Sequence, residues 1–481
     1  MSLRRDGEGY DHREAMFGMP PYGGSIEQNV YYANADLCDI TMDYSRGGYP
    51  TRPKDETGAM EQWKSPFILM VDRGECTFVK KVRHAQKMGA AAVILADNTC
   101  LCSSTSCVSE GTTFCETKEP VMADDGSGAD VTIPSYLMFK QDADPIKEML
   151  MEDTIVRMKM EWSLPEVDAT VDYQLWTTPK EKMSRPLQRE FRHVAKALGD
   201  RARFTPHMFL YDGVFSGCKS PDGENQCFSL CTNEGRYCST DPDDDLDNGI
   251  SGADVVQESL RRICIWKEYG QDGVGMPWWD YVNEFMYRCD NPNYFNSEEC
   301  VKDCMQRSGV EYSKVKICME DSGGLEGDVE NKILTDELAE QSKNGVVILP
   351  SIYVNDTPLR GAPTTVEVFD AICAGYRVGG EPDICTSCSR CKDIEKCVTT
   401  GHCPGEGKLE KVSMPVFAGT LAAVIFCFGI LAVVQHQRAQ AQMRSQVRGI
   451  MAEYMPIDRN QSVESVGIPQ EDDLDLQVEI S

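Results

Sequence analysis

The chain is 481 residues long, enough for two or three folded domains, and its hydrophobic content of 41% is ordinary for globular material. A formal charge of −29 argues against nucleic acid as a partner, because phosphate neutralisation needs clustered Lys and Arg. Cysteine narrows the field further. Of 22 cysteines, Cys427 lies inside an apolar run at residues 416–434, none follows that run, and all the others precede it. Disulfides persist where the compartment oxidises, so the N-terminal side is expected to be lumenal or extracellular. The count before the run is odd, which leaves one thiol without an obvious partner inside the chain.

The opening stretch "MSLRRDGEGYDHREAMF" has basic residues but no apolar leader core. A disulfide-rich lumenal domain needs such a leader, so the sequence is expected to begin after its true start. "FILMV" (Phe67 to Val71) has the length of a buried strand. "FVKKVRHAQKM" then spaces Phe78, Val82, Ala85 and Met88 as a helix face, with Gly89 as its stop. "AAVILAD" (Ala91 to Asp97) reads as a second buried strand, which makes an α/β unit. Cys100, Cys102, Cys107 and Cys115 follow in a Ser/Thr-rich loop that disulfides are expected to staple. "VTIPSYLM" supplies a further strand, confined by Pro134 to an edge or a strand end.

From about Asp168 to Gly380 the pattern is an interrupted α/β one. "VDYQLWT" and "HMFLYD" read as strands, and the stretches around "ADVVQESLRRICIWKEYG", "WWDYVNEFMYRC" and "SEECVKDCMQRSG" as helices. "GVVILPSIYVNDTPLRG" reads as two strands around Pro350, closed by a turn at Asn355-Asp356. "TTVEVFDAICAGY" ends the unit as a helix, with Thr364 and Glu367 spaced for a capping box and Gly375 as its stop. "CTSCSRCKDIEKCVTTGHC" is too small for a hydrophobic core of its own and reads as a disulfide-tied stalk. The uncharged run at 416–434 is long enough to cross a bilayer core of roughly 30 Å, and Arg438, Arg444 and Arg448 beyond it favour a cytosolic C-terminus. The remaining tail is poor in apolar residues and reads as disordered until bound.

No H-E-x-x-H, G-x-S-x-G or Walker loop is present, and six histidines leave little for a hydrolytic constellation. The acidic loop "DPDDDLDNG" fails as an EF-hand, because Leu246 and Gly252 stand where the glycine and the closing glutamate belong; a solvated loop or a weak calcium site remains. "VILPSIYVN" looks like the strand that bears the cis-proline of thioredoxin-like folds. The redox reaction of that fold needs a C-x-x-C at a helix start, and neither "LWTTPKEKM" nor "FLYDGVFSGC" contains one.

Longer stretches resemble one family specifically. "FGMPPYGGSI" and "VDRGECTFVKKVRHAQKMGAAAVILADN" resemble a protease-associated (PA) domain. "RFTPHMF", "GRYCSTDPDDD", "PWWDYVNEF", "DVENKIL" and "VVILPSIYVNDTPLRG" resemble the thioredoxin-like region of vacuolar sorting receptors, and "SQVRGIMAEYMPID" resembles their cytosolic tail. The resemblance covers nearly the whole chain. It implies an α/β and α+β multidomain protein that is not an enzyme: a PA domain at 1–165, a thioredoxin-like region with a helical insertion at 166–382, a Cys-rich stalk at 383–410, a single transmembrane helix at 416–434 and a sorting tail at 435–481. It also implies a single-pass type I membrane protein of Golgi, trans-Golgi network, prevacuolar compartment and clathrin-coated vesicles. The alternative is a PA-domain membrane protein with a structural or quality-control role, such as a thiol oxidoreductase. A ubiquitin ligase would need RING cysteines after the span, and there are none.

In that family the PA domain recognises sorting peptides of soluble cargo, often of Asn-Pro-Ile-Arg type. The matching loop here is Arg73, Gly74, Glu75, Cys76, Thr77 and Phe78. It lies between strand and helix, where free backbone N–H groups and Arg73 can meet peptide carbonyls or a carboxylate, and Gly74 permits close approach. Cys76 is equally a structural cysteine, with Cys38 as candidate partner. His84 is a candidate pH sensor or an ordinary helix histidine. Two departures from the family stand out: the epidermal-growth-factor-like repeats are reduced to Cys385–Cys403, which leaves calcium control open and no other cofactor implied, and Lys180–Ser184 replace a cysteine pair.

In the tail, Tyr454-Met455-Pro456-Ile457 fits the Y-x-x-hydrophobic pattern read by the medium chain of clathrin adaptors. An extended peptide places its first and fourth side chains in separate pockets, and Pro456 lowers the entropy cost of staying extended. Ile450-Met451 resembles a second sorting element. Asn355-Asp356-Thr357 is a glycosylation candidate weakened by Pro358.

Overall fold

The computed structural model describes residues 9–39, 47–104, 115–167, 169–389, 391–403, 428–436 and 438. Residues 428–436, which take in the last part of the apolar run, are helical. Residues 416–427 and the tail positions Ile450, Met451, Tyr454, Met455, Pro456 and Ile457 lie outside the described residues. Among the described residues no helix is long and apolar enough to cross a membrane.

The N-terminal module is built on one mixed sheet. Its strands are β1 (His12–Glu14), β2 (Ser25–Tyr32), β3 (Phe67–Asp72), β4 (Ala90–Ala96), β5 (Ser135–Met138) and β6 (Val156–Glu161), with α1 (Phe78–Lys87) after β3 and α2 (Lys140–Met151) after β5. In space the order is β1-β5-β4-β3-β2-β6. The four inner strands run parallel, and β1 and β6 close the edges antiparallel. Fully apolar runs suit strands covered on both faces. Phe67, Leu69 and Val71 pack with Val79, Val82 and Ala85 of α1, while Ile68 and Met70 pack with Ala143, Ile146 and Leu150 of α2. Gly89 ends α1 at φ 90°, a conformation that disfavours other residues.

The second module carries a four-stranded sheet whose spatial order runs from Thr357–Pro358 through Ser351–Val354 and Val171–Thr177 to Ala202–Met208. It begins with β7 (Val171–Thr177), α3 (Ser184–Leu198) and β8 (Ala202–Met208), where β7 and β8 are parallel. A three-stranded ribbon follows: β9 (Tyr211–Asp212), β10 (Cys231–Thr232) and β11 (Tyr237–Cys238). Five helices are then inserted: α4 (Gly252–Tyr269), α5 (Met276–Arg288), α6 (Glu298–Arg307), α7 (Tyr312–Asp321) and α8 (Lys332–Asn344). Ser251 and Asp254 form a full capping box at the start of α4. Cys264–Cys318 ties α4 to α7, and Cys289–Cys300 ties the end of α5 to α6. The chain returns through β12 (Ser351–Val354), β13 (Thr357–Pro358) and α9 (Thr365–Ala374). Leu349-Pro350 is cis, as the thioredoxin-like reading expects.

Three local expectations need correcting. Residues 346–349 are not a strand: Val347 is 73% exposed, and only the segment after Pro350 pairs with β7. "HMFLYD" splits, because β8 starts earlier, ends at Met208 and leaves Tyr211-Asp212 to the ribbon. The box at Thr364 is formed in part: Thr364 caps α9 by accepting from Glu367 N–H, and the backbone N–H groups of Thr364 and Glu367 address the Glu367 carboxylate, but its Oε2 is buried without a hydrogen bond. The Asn355-Asp356 turn is present, both residues having positive φ, with the pairs Val354–Thr357 and Tyr353–Pro358 flanking it.

The Cys-rich segment is not a free-standing stalk over its described part. Helices α10 (Asp383–Cys388) and α11 (Ile394–Thr400) bury Cys385, Cys388, Ile394 and Cys397 in the same core as Phe191 and Val194 of α3. Cross-links Cys373–Cys385, Cys388–Cys397 and Cys391–Cys403 hold it there. The N-terminal module joins the second through polar contacts: the Arg360 N–H donates to Tyr22 Oη at 2.6 Å, and Arg360 Nε reaches Glu14 Oε2 at 3.2 Å.

Candidate functional site

The Arg73–Phe78 loop connects the C-terminal end of β3 to α1. Gly74 has φ 116° and Glu75 φ 66°, so the chain reverses over two left-handed residues. The Cys76 N–H donates to Gly74 O at 2.8 Å, and Asn98 Nδ2 donates to Arg73 O at 2.9 Å. Thr77 caps α1 by accepting from Lys80 N–H at 3.3 Å. The N–H groups of Phe78 and Val79 head the helix without intrahelical acceptors. Glu75 and Thr77 are exposed, whereas Arg73, Gly74, Cys76 and Phe78 are half-buried.

Cys76 is bonded to Cys38, which fastens the loop to the segment after β2. That segment is held a second time from α1. His84 Nδ1 donates to Leu37 O at 2.6 Å, and Lys81, buried, donates to Asp36 O and lies 3.7 Å from Cys38 Sγ. His84 is therefore half-buried in a backbone contact rather than standing free on the helix.

Arg73 does not simply face solvent. Its Nη1 is 3.1 Å from Asp97 Oδ1, on a fully buried carboxylate, and 2.9 Å from Glu116 Oε2. Burial alone would lower the guanidinium, but the Glu116 and Asp97 carboxylates raise it above the ordinary arginine value. On the other side, Asp125 hydrogen-bonds Ser127 and Thr77, whose hydroxyls hold its carboxyl below the usual range. Arg83 of α1 fixes the same loop through Asp130 at 2.7 Å and Ser127 O. The loop is thus a braced rim with a helix N-terminus, a shared cation and flanking carboxylates, suited to hold a peptide by its backbone and charged ends. Asp97, Glu116, Lys81 and Asp125 are the members that sequence reasoning misses.

Comparison with known proteins bears on what such a rim serves. Residues 27–146 match the PA domain model, and residues 171–373 match the vacuolar sorting receptor thioredoxin-like domain model. Vacuolar-sorting receptor 3 of Arabidopsis thaliana is 32% identical over 79% of this chain and 59% of its own length. Vacuolar-sorting receptor 1 of Pisum sativum is 32% identical over 82% of this chain and 61% of its own. This chain is related to the vacuolar sorting receptors. It spans about three fifths of the length of these curated relatives. Among solved structures, a zinc aminopeptidase from Bacillus subtilis covers 29% of this chain and 26% of its own, at 20% identity and a TM-score of 0.19, too slight to carry an argument.

Where a redox thioredoxin places its cysteines, between β7 and α3, stand Thr178 to Ser184. Lys180 lies 2.7 Å from Asp290, and Arg185 pairs with the same carboxylate, which is 3% exposed. An ion cluster therefore ties this loop to the insertion where a thiol pair would act, and the oxidoreductase alternative finds no C-x-x-C there. Asn355 is likewise engaged. Its Nδ2 donates to Pro165 O at 2.6 Å and Gly375 O at 3.2 Å, and its Oδ1 accepts from Asp172 N–H at 3.1 Å. The folded chain uses this amide between three segments rather than presenting it for a glycan.

Proposed function

We propose that the protein is a sorting receptor that binds peptide signals of soluble vacuolar cargo through the Arg73–Phe78 rim and passes the bound cargo to coated carriers through its tail. The observation that carries this reading is the pairing in one chain of a PA domain with a thioredoxin-like domain of the vacuolar sorting receptor type. The disulfide-clamped loop supports the location of the cargo site, since a preorganised rim binds with less ordering cost. In this reading the apolar run at 416–434 spans an endomembrane once, Tyr454 and Ile457 anchor the tail to an adaptor medium chain, and Ile450-Met451 adds a second contact. The receptor then cycles between Golgi, trans-Golgi network and prevacuolar compartment in clathrin-coated vesicles. The aspartates of the 241–249 loop are the place where calcium would act, if cargo affinity depends on it.

The deciding experiment measures binding of the full chain in detergent to an immobilised Asn-Pro-Ile-Arg-type peptide at neutral and acidic pH, beside a scrambled peptide. Binding to the first alone, abolished by reversing the rim charge with Glu75→Lys or by Thr77→Asp, supports the cargo site. Equal binding to both peptides, or none by a folded chain, removes this cargo class.

A further inference from the structure

Within the helical insertion three sulfurs meet. Cys289 caps α5, while Cys300 and Cys304 stand one turn apart on α6. Positions four apart share a helix face, so both address the same point, the Sγ of Cys289. That sulfur is bonded to Cys300 and lies 3.4 Å from Cys304 Sγ, which is contact distance for two sulfurs. All three sulfurs lie within 4.8 Å of one another. Cys304 is the free cysteine among the described residues, the odd thiol that the count before the apolar run requires. Cys289 and Cys304 are fully buried, whereas Cys300 is half-buried at the rim.

We propose that Cys289, Cys300 and Cys304 form a thiol–disulfide exchange site that moves the chain's free thiol from the core to the surface of the insertion. Cys304 gives its proton to solvent and its thiolate attacks Cys289 Sγ. The Cys289–Cys304 bond forms, the Cys289–Cys300 bond breaks, and Cys300 leaves as a thiolate that takes up a proton. One thiol and one disulfide stand on each side, so no oxidant or reductant is consumed. The two alternatives differ by side-chain rotation, because α6 presents both cysteines to the end of α5. Once released, the Cys300 thiolate is placed to attack a disulfide of another protein, forming a mixed disulfide and freeing that partner's own thiolate.

The surroundings set the pace. Burial, then Glu284 of α5, Glu258 of α4 and Asp303 of α6, push the Cys304 thiol up to about 12, against the opposite pull of Arg288. Tyr281 lies beside Cys304 and donates to Glu258. The thiolate fraction is small at neutral pH and grows about tenfold per pH unit, so exchange is slow at rest and accelerates in base.

The test incubates the full chain in detergent with N-ethylmaleimide at pH 7 and pH 8 without denaturant, then maps labels and cross-links by non-reducing digestion and mass spectrometry. The expected result is label on Cys300 together with a Cys289–Cys304 linkage, accumulating about tenfold faster at pH 8. Cys300→Ser should assemble with a Cys289–Cys304 disulfide and no reactive thiol at this site. Label on Cys304 with the Cys289–Cys300 bond intact would overturn the proposal, as would no label before denaturation. If Cys300→Ser does not fold, the wild-type labelling pattern alone decides.

Discussion

Arg73 and Asp97 meet across the ends of β3 and β4, a half-exposed guanidinium closing over a carboxylate that has no exposure of its own. Replacing Arg73 by Ala therefore removes more than a surface charge. It leaves Asp97 buried without its cation, a loss on the order of 2–3 kcal/mol after allowing for the solvent that reaches Arg73. The urea midpoint of Arg73→Ala should fall accordingly, and adding Asp97→Asn should recover part of it. Equal midpoints for the single and double variants would show that the pair is not coupled. Peptide binding by Arg73 is best read in the Asp97→Asn background, where folding and recognition separate.

The Cys38–Cys76 bond closes a loop with a sequence separation of 38. Chain-entropy arithmetic for a loop of that size gives up to about 4 kcal/mol, and strain or residual unfolded structure reduces it. Cys38→Ser/Cys76→Ser should lose about 2–4 kcal/mol in denaturant unfolding. It should also weaken peptide binding at temperatures where the PA module stays folded, because Lys81 and His84 then hold the Asp36–Cys38 segment alone. Unchanged affinity with lowered stability would assign the bond a purely structural role.

Glu258 of α4 is wholly buried between two buried arginines. Its Oε1 is 3.0 Å from Arg262 Nε, and its Oε2 takes Arg261 and the Tyr281 hydroxyl at 3.2 Å. Glu258→Ala leaves two guanidinium groups without their anion, and should cost about 3–5 kcal/mol. Glu258→Gln keeps the volume and one of the two accepting oxygens but not the charge, and should fall between. Urea unfolding of both variants, followed by the fluorescence of Trp278 and Trp279, provides the measurement.

Where burial on both faces demands an unbroken apolar run, as in β3 and β4, strand and neighbouring helix were legible from composition and spacing alone. The candidate loop was legible as a loop, and Cys38 as a candidate partner of Cys76. Its electrostatics were not: Asp97 and Glu116 stand 24 and 43 residues from Arg73, and only the parallel register of β3 with β4 brings the first of them near. Helix α2 carries Pro145 in its interior and α8 is mostly polar, so neither announces itself by periodicity. Residues 346–349 mislead in the other direction. They have strand composition, but Val347 points to solvent and the pairing with β7 begins only after Pro350. The cysteine count foretold a free thiol; that it is Cys304, beside a disulfide, required the packing of α5 on α6.

Glu367 offers the sharpest pH test. Burial, with a smaller push from the neighbouring Asp370, raises its carboxyl above the ordinary value of 4.5 against the opposite pull of the Glu367 and Thr364 backbone N–H groups, and its Oε2 is buried without a hydrogen bond. The folded chain therefore holds this proton more tightly than the unfolded chain does. Between 4.5 and the raised folded value, the native state binds more protons, so this group makes stability fall as pH rises. Above that window the full penalty of a buried charge is present, and below 4.5 it is gone. Glu367→Gln should thus raise the melting temperature at pH 7 and give no gain at pH 4. The Thr364 cap on α9 stays in place, since the backbone N–H of residue 367 supplies it. A substitution that lowers stability at pH 7 would mean that the carboxylate has a cationic or hydrogen-bonding partner in solution, and would place that partner at the start of α9.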